Sequence, residues 1–131
     1  MTGTDGLGPP DDSGNPHMAR LLNQAGFLGV EVVDGVIYAR LSAGSAEFTV
    51  THQTGWHAAL AWSVRATTAQ MARWNATHPT APMDIWQGET RIVMPVTPDL
   101  AALQAWASVA DAMVALCIRW RRDQRAPGEG N

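Results

Sequence analysis

Hydrophobic and polar positions recur along this chain with two different periods, and the changes of period mark out its elements. Met18, Leu21, Leu22 and Ala25 recur at three- and four-residue spacing, the pattern of an amphipathic helix, which stops at Gly26. The period then drops to two. Val30 to Val33 and Val36 to Leu41 flank Asp34-Gly35, a dipeptide that accepts φ > 0 at both turn positions and so predicts a hairpin. A two-residue turn there pairs Val32 with Ile37 and Val30 with Ala39. Glu47 to His52 places Phe48, Val50 and His52 on one face and Thr49 and Thr51 on the other. Trp56 to Val64 alternates likewise, with Trp56, Ala58, Leu60, Trp62 and Val64 sharing a side and Gly55 marking the turn before them. Aligning the two apolar faces sets Phe48 opposite Trp62, Val50 opposite Leu60 and His52 opposite Ala58.

Helical spacing returns after Thr67-Thr68, an N-cap choice, runs through Met71 and Trp74, and is blocked by Pro79. Met83 to Gln87 and Arg91 to Val96 read as two strands around Gly88-Glu89, with glycine first as in a type II′ turn. That register pairs Ile85 with Ile92 and Met83 with Met94, and leaves Trp86 beside Arg91 on the opposite face. Thr97-Pro98-Asp99 is a helix start, with Thr97 as cap, Pro98 at the first helical position and Asp99 favourable to the dipole. The last helix runs to about Arg122 on the stripe Leu103, Trp106, Ala110, Met113, Cys117 and Trp120, widened by Val109 and Leu116. Gln104, Ser108, Asp111, Ala115 and Arg119 occupy its far side. Arg119, Arg121, Arg122 and Arg125 fall at its expected C-terminus, where cations suit the dipole.

These elements predict an α+β domain: a single antiparallel sheet of five to six strands with helices mainly on one face. Three or four strands precede the middle helix. With 131 residues, 46% apolar and 16% charged, one domain is expected, over residues 17–125. Residues 1–16 offer Gly, Pro, Asp and Ser with almost nothing to bury and are expected to form a disordered acidic tail; 126–131 form a second short tail.

Composition removes several classes of function. Nine basic residues against twelve acidic ones give a net charge of −3, which argues against a phosphate-tracking nucleic-acid binder. Every basic residue is Arg, so no lysine is present to form a Schiff base. The single cysteine, Cys117, forbids an internal disulfide and lies in an apolar stripe, where an inert thiol is expected. No stretch of about 18 apolar residues is apparent that would span a bilayer, and the first residues lack the basic and apolar regions of a signal peptide. A cytoplasmic protein with no membrane partner is the expectation.

Candidate chemistry is sparse. His52 and His57 are the most metal-like pair, but the alternation sends their rings to opposite faces, and no Glu, Asp or Cys stands near enough in sequence to complete four ligands. Ser42, Ser45, Ser63 and Ser108 lie in no nucleophile elbow; Ala43-Gly44-Ser45-Ala46-Glu47 comes nearest and lacks the second glycine. Glu31, Asp34, Glu47, Asp84, Glu89, Asp99 and Asp111 form no catalytic pair, and Glu31 facing Tyr38 with Arg40 diagonal is an ordinary surface set. No glycine-rich phosphate loop exists. No cofactor and no catalytic residue is expected. Six tryptophans, by contrast, are many for this length. Trp62, Trp106 and Trp120 fall on inward faces, whereas Trp56 sits at a turn, Trp74 near a helix end and Trp86 on an outer face beside Arg91. Exposed Trp and Arg are enriched at protein-binding hot spots, so Trp86, Arg91, Trp56 and Trp74 are the candidate contact residues. The competing reading has Trp86 lying flat on its own sheet with Arg91 stacked over it.

The segment Arg73-Trp74-Asn75-Ala76, the hairpin MDIWQGETRIVMPV and the closing helix TPDLAALQAWASVADAMVALCIRWRR resemble, in pattern and order, the YbjN family and more distantly the type III secretion chaperones. Both share an α-βββ-α-ββ-α arrangement, and the resemblance covers roughly residues 17–122. It implies a non-catalytic protein-binding or chaperone-like domain whose partner is another protein, with a homodimer as one form. The rival expectation is a small-ligand or enzymatic pocket between the sheet and the last helix, lined by Trp and Met with His52 or Arg40 as polar handle.

Overall fold

The computed structural model describes residues 14–41 and 46–130. Its order is α1 (Asn15–Gln24), β1 (Leu28–Val33), β2 (Val36–Arg40), β3 (Glu47–His52), β4 (Trp56–Trp62), α2 (Thr68–Thr77), β5 (Met83–Trp86), β6 (Glu89–Val96) and α3 (Leu100–Gly130). Four strands therefore precede the middle helix. The six strands form one antiparallel sheet in the order β1-β2-β3-β4-β6-β5, the α+β architecture that the patterning predicts.

Turn chemistry sets the registers. Asp34 (φ 51°) and Gly35 (φ 79°) form the two-residue turn of the first hairpin, which pairs Val32 with Ile37 as expected. The expected Val30–Ala39 pair is interrupted by a bulge between Leu28 and Glu31. In the last hairpin the turn residues are Gln87 (φ 52°) and Gly88 (φ 81°), so glycine is the second turn residue, not the first. Trp86 pairs with Glu89, Asp84 with Arg91 and Met83 with Ile92, two residues away from the register predicted above. The β3–β4 hairpin differs in the same way: His52 pairs with Trp56 and Val50 with Ala58 around a three-residue loop. In the β3–β4 hairpin the observed loop leaves fewer unpaired residues than a His52–Ala58 pair would, and in the last hairpin a two-residue turn slides by one position. In both, a shift of two keeps every side chain on its predicted face.

All three helices pack on the same side of the sheet. α1 lies over β1 and β2, α2 against β5, and α3 across β4 and β6. Between sheet and α3, Phe48, Leu60, Ile92, Leu103, Trp106 and Met113 are at most 1% exposed, which fills the space where a ligand pocket was the rival expectation. Phe27, Phe48 and Trp106 meet edge-to-face there, at 4.9 and 5.5 Å between ring centroids.

Helix ends depart from the sequence reading at three points. α1 begins at Asn15, two residues before the expected start of the folded body; Asn15 is 3% exposed and its Nδ2–H donates to the Gly35 carbonyl (3.3 Å). The expectation of a tail over residues 1–13 lies outside the described residues. At α3 the cap is Asp99 and not Thr97: Asp99 Oδ1 accepts the Ala102 N–H (2.8 Å), while Thr97 Oγ1–H donates to Asp99 Oδ2 (2.5 Å). The helix then continues to Gly130, past Arg122 and through most of the segment expected to be a second tail. Its stretch Leu100–Gln124 is also long and apolar enough, by length and composition alone, to cross a membrane. The Ala and Val residues between the stripe positions raise its apolarity, and the stripe itself is spent on the core.

Candidate functional site

With the helices on one side, the opposite face of the sheet presents Tyr38, Arg40, Glu47, Thr49, His57, Ala59, Ala61, Arg91 and Asp84 side by side, as the strand pairings require. Trp86 lies on this face and is 44% exposed. Arg91 Cζ stands 5.0 Å from the centre of its ring. The guanidinium also makes a two-point contact with Asp84, from Nε to Oδ1 at 3.1 Å and from Nη2 to Oδ2 at 2.7 Å. An exposed ion pair of this kind contributes about 0–1 kcal/mol to stability, so its larger effect is to orient the guanidinium. Beside the pair, Glu47, Thr49, Ala59, Ala61, Trp86 and Arg91 line a depression of about 340 Å³. Small side chains on β4 make it: alanine at 59 and 61 leaves room that longer neighbours border.

The four candidate contact residues do not form one surface. Trp86 and Arg91 stand together on the open face. Trp56 is half-buried on the helix-covered face, edge-on to His52 at 4.8 Å, with its six-membered ring beside Gly14. Trp74 has no surface to offer. It is 2% exposed, stacks on His78 at 3.8 Å and donates its Nε1–H to the Ala81 carbonyl (2.7 Å). Its neighbour Asn75 accepts the Met83 N–H (2.7 Å) and donates to the Met83 carbonyl (3.4 Å). The Trp-Asn pair therefore fastens α2 to the entry of β5, a structural clamp for backbone groups that would otherwise be unpaired.

The remaining polar candidates separate as well. His52 faces the helices and its Nδ1 is buried without a partner; His57 pairs with Thr51 on the open face and donates Nδ1–H to the Gly55 carbonyl (3.2 Å). Among the described residues no three His, Cys, Asp or Glu side chains come together as metal ligands. Arg40 lies on the open face, its guanidinium over Gly29, so it and His52 cannot serve one pocket. Cys117 is buried in the core, and burial pushes its thiol up to about 11, with Arg121 opposing. Serines 42 and 45 lie outside the described residues.

One residue that the sequence reading passed over holds two elements together. Thr90 is fully buried, and its Oγ1 accepts the Ala66 N–H (2.8 Å) while donating to the Val64 carbonyl (2.5 Å). A polar residue at an inward strand position was the available signal. No protein-family model matches the chain, and neither the curated proteins nor the solved structures contain a match to it.

Proposed function

We propose that this chain is a non-catalytic, chaperone-like protein-binding module that takes a partner protein on the open face of its sheet, with Trp86 and Arg91 at the centre of the contact. The observation that carries the reading is the half-exposed Trp86 under an Arg91 already oriented by Asp84, bordering a depression on a face that no described helix covers. A large ring and a pre-positioned guanidinium lose little conformational freedom on binding, which is why such pairs dominate interface energetics. The element order resembles that of YbjN proteins and secretion chaperones, with a fourth strand before the middle helix, and supports the same reading. The partner on this reading is another protein, and a second copy of the chain is the homodimeric case.

Crosslinked pull-down of the tagged protein from its own cells, beside a Trp86→Ala, Arg91→Ala variant, tests the proposal. One dominant partner, this chain included, that is lost or weakened by about tenfold or more in the variant is the expected result. A partner retained in full by the variant removes the open face from the contact, and the absence of any partner removes the function.

A further inference from the structure

On the helical side, residues of α2 and α3 line a groove between them. One wall is Gln70, Arg73, Trp74 and Thr77; the other is Leu116, Arg119, Trp120 and Asp123. Each set has the i, i+3, i+4, i+7 spacing of one helix face. The groove has a volume of about 390 Å³. Leu116 is the half-buried part of its apolar floor, with Trp74 and Trp120 buried behind it, Gln70 and Thr77 supply neutral polar groups, and Arg73 and Arg119 face it from opposite helices. Arg122, about one turn beyond Arg119 on the same helix, is exposed as well.

Two explanations for these cations fail. The only ion pair among the described residues is Arg91–Asp84, so Arg73 and Arg119 are not engaged with Asp123 or with any other described carboxylate. Nor do Arg119 and Arg122 compensate the end of a helix dipole, because α3 continues to Gly130 and carries no basic residue in its last turn. In a chain of net charge −3, two unpaired guanidinium groups bracketing an apolar floor are a feature that a ligand of opposite charge would complete.

From this arrangement we infer that the α2–α3 groove binds an acidic segment of a partner polypeptide, whose carboxylates meet Arg73 and Arg119 while an apolar side chain rests on Leu116. Asp123 selects a peptide over a compact polyanion: a dense phosphate cluster would lie against this carboxylate, whereas a peptide spaces its charges and passes it. The site is separate from the open sheet face and does not depend on what binds there. The walls are held from outside the groove, since Arg121 donates to Ser63 Oγ and Gln124 Nε2–H donates to the Arg65 carbonyl (3.2 Å).

Fluorescence anisotropy with a labelled peptide in which glutamate alternates with leucine tests the inference on the full chain. Binding should weaken by about tenfold or more in Arg73→Ala, Arg119→Ala, and by a similar factor when the peptide's glutamates are replaced by glutamine. A control variant, Arg20→Ala, Arg40→Ala, carries the same charge change elsewhere and should bind as the parent does. Asp123→Asn should bind severalfold more tightly, because it removes the one repulsive group. Absence of binding at millimolar protein, an equal loss in the control variant, or tighter binding of a single-stranded DNA of the same length would each overturn the inference.

Discussion

Thr90 shows what one side chain decides in this fold. Its hydroxyl satisfies both an N–H and a carbonyl in the segment that leaves β4 for α2, from a fully buried position on β6. Valine has nearly the same shape and neither hydrogen-bonding group. Thr90→Val therefore isolates the two bonds, and we expect it to destabilise the protein by about 2–4 kcal/mol in urea unfolding, because two buried backbone groups are orphaned. A loss below about 0.5 kcal/mol would mean that water reaches the Ala66 and Val64 backbone. The tryptophans divide at the same scale. Inward positions were legible for Trp106 and Trp120 from helical spacing, both of which are buried. Trp74 was not legible, because proximity to a helix end in sequence says nothing of the Ala81 carbonyl that folds back onto its indole.

Among the elements, α2 is capped by Thr67, one of the two threonines its sequence offers, with Gln70 completing a capping box, whereas α3 is capped at Asp99, two residues later than expected. The Thr97 hydroxyl, followed by the Ala102 N–H, holds the Asp99 carboxyl below the usual carboxylate range. A depressed pKa stabilises the fold at pH values above the ordinary aspartate range, and that contribution disappears as pH falls through the lowered value. Unfolding midpoints of the protein and of Asp99→Asn should accordingly differ at neutral pH and converge in strong acid. A constant difference across the titration would show that the cap acts through shape and not through charge. The hairpins teach a complementary lesson. Faces were read correctly in β3 through β6, since alternation alone sets them, but two of three registers were displaced by two residues. Apolar matching does not distinguish registers that differ by two; loop closure and the left-handed backbone at Gln87 and Gly88 do.

For the molecule as a whole, strand order predicts how stability is distributed. β4 and β6 lie inside the sheet under α3, while β1 is an edge strand on which Leu28, Val32 and Val33 are all more than 40% exposed. Hydrogen exchange should be slowest in β4 and β6 and fastest, among the strands, in the outward-pointing amides of β1. Uniform protection across the sheet would point to a partner already seated on the β1 edge. By itself the sequence determined the type and order of the elements, the inward and outward sides of the strands and the core stripe of α3. Each of these follows from local periodicity and turn chemistry. Only the tertiary structure decided the strand order, the two shifted registers, the length of α3, the burial of Trp74, the setting of Arg91 between Trp86 and Asp84, and the meeting of Arg73 with Arg119 across a groove. Those depend on contacts between residues far apart in the chain, whose side chains find one another only after the helices have been laid on one face of the sheet.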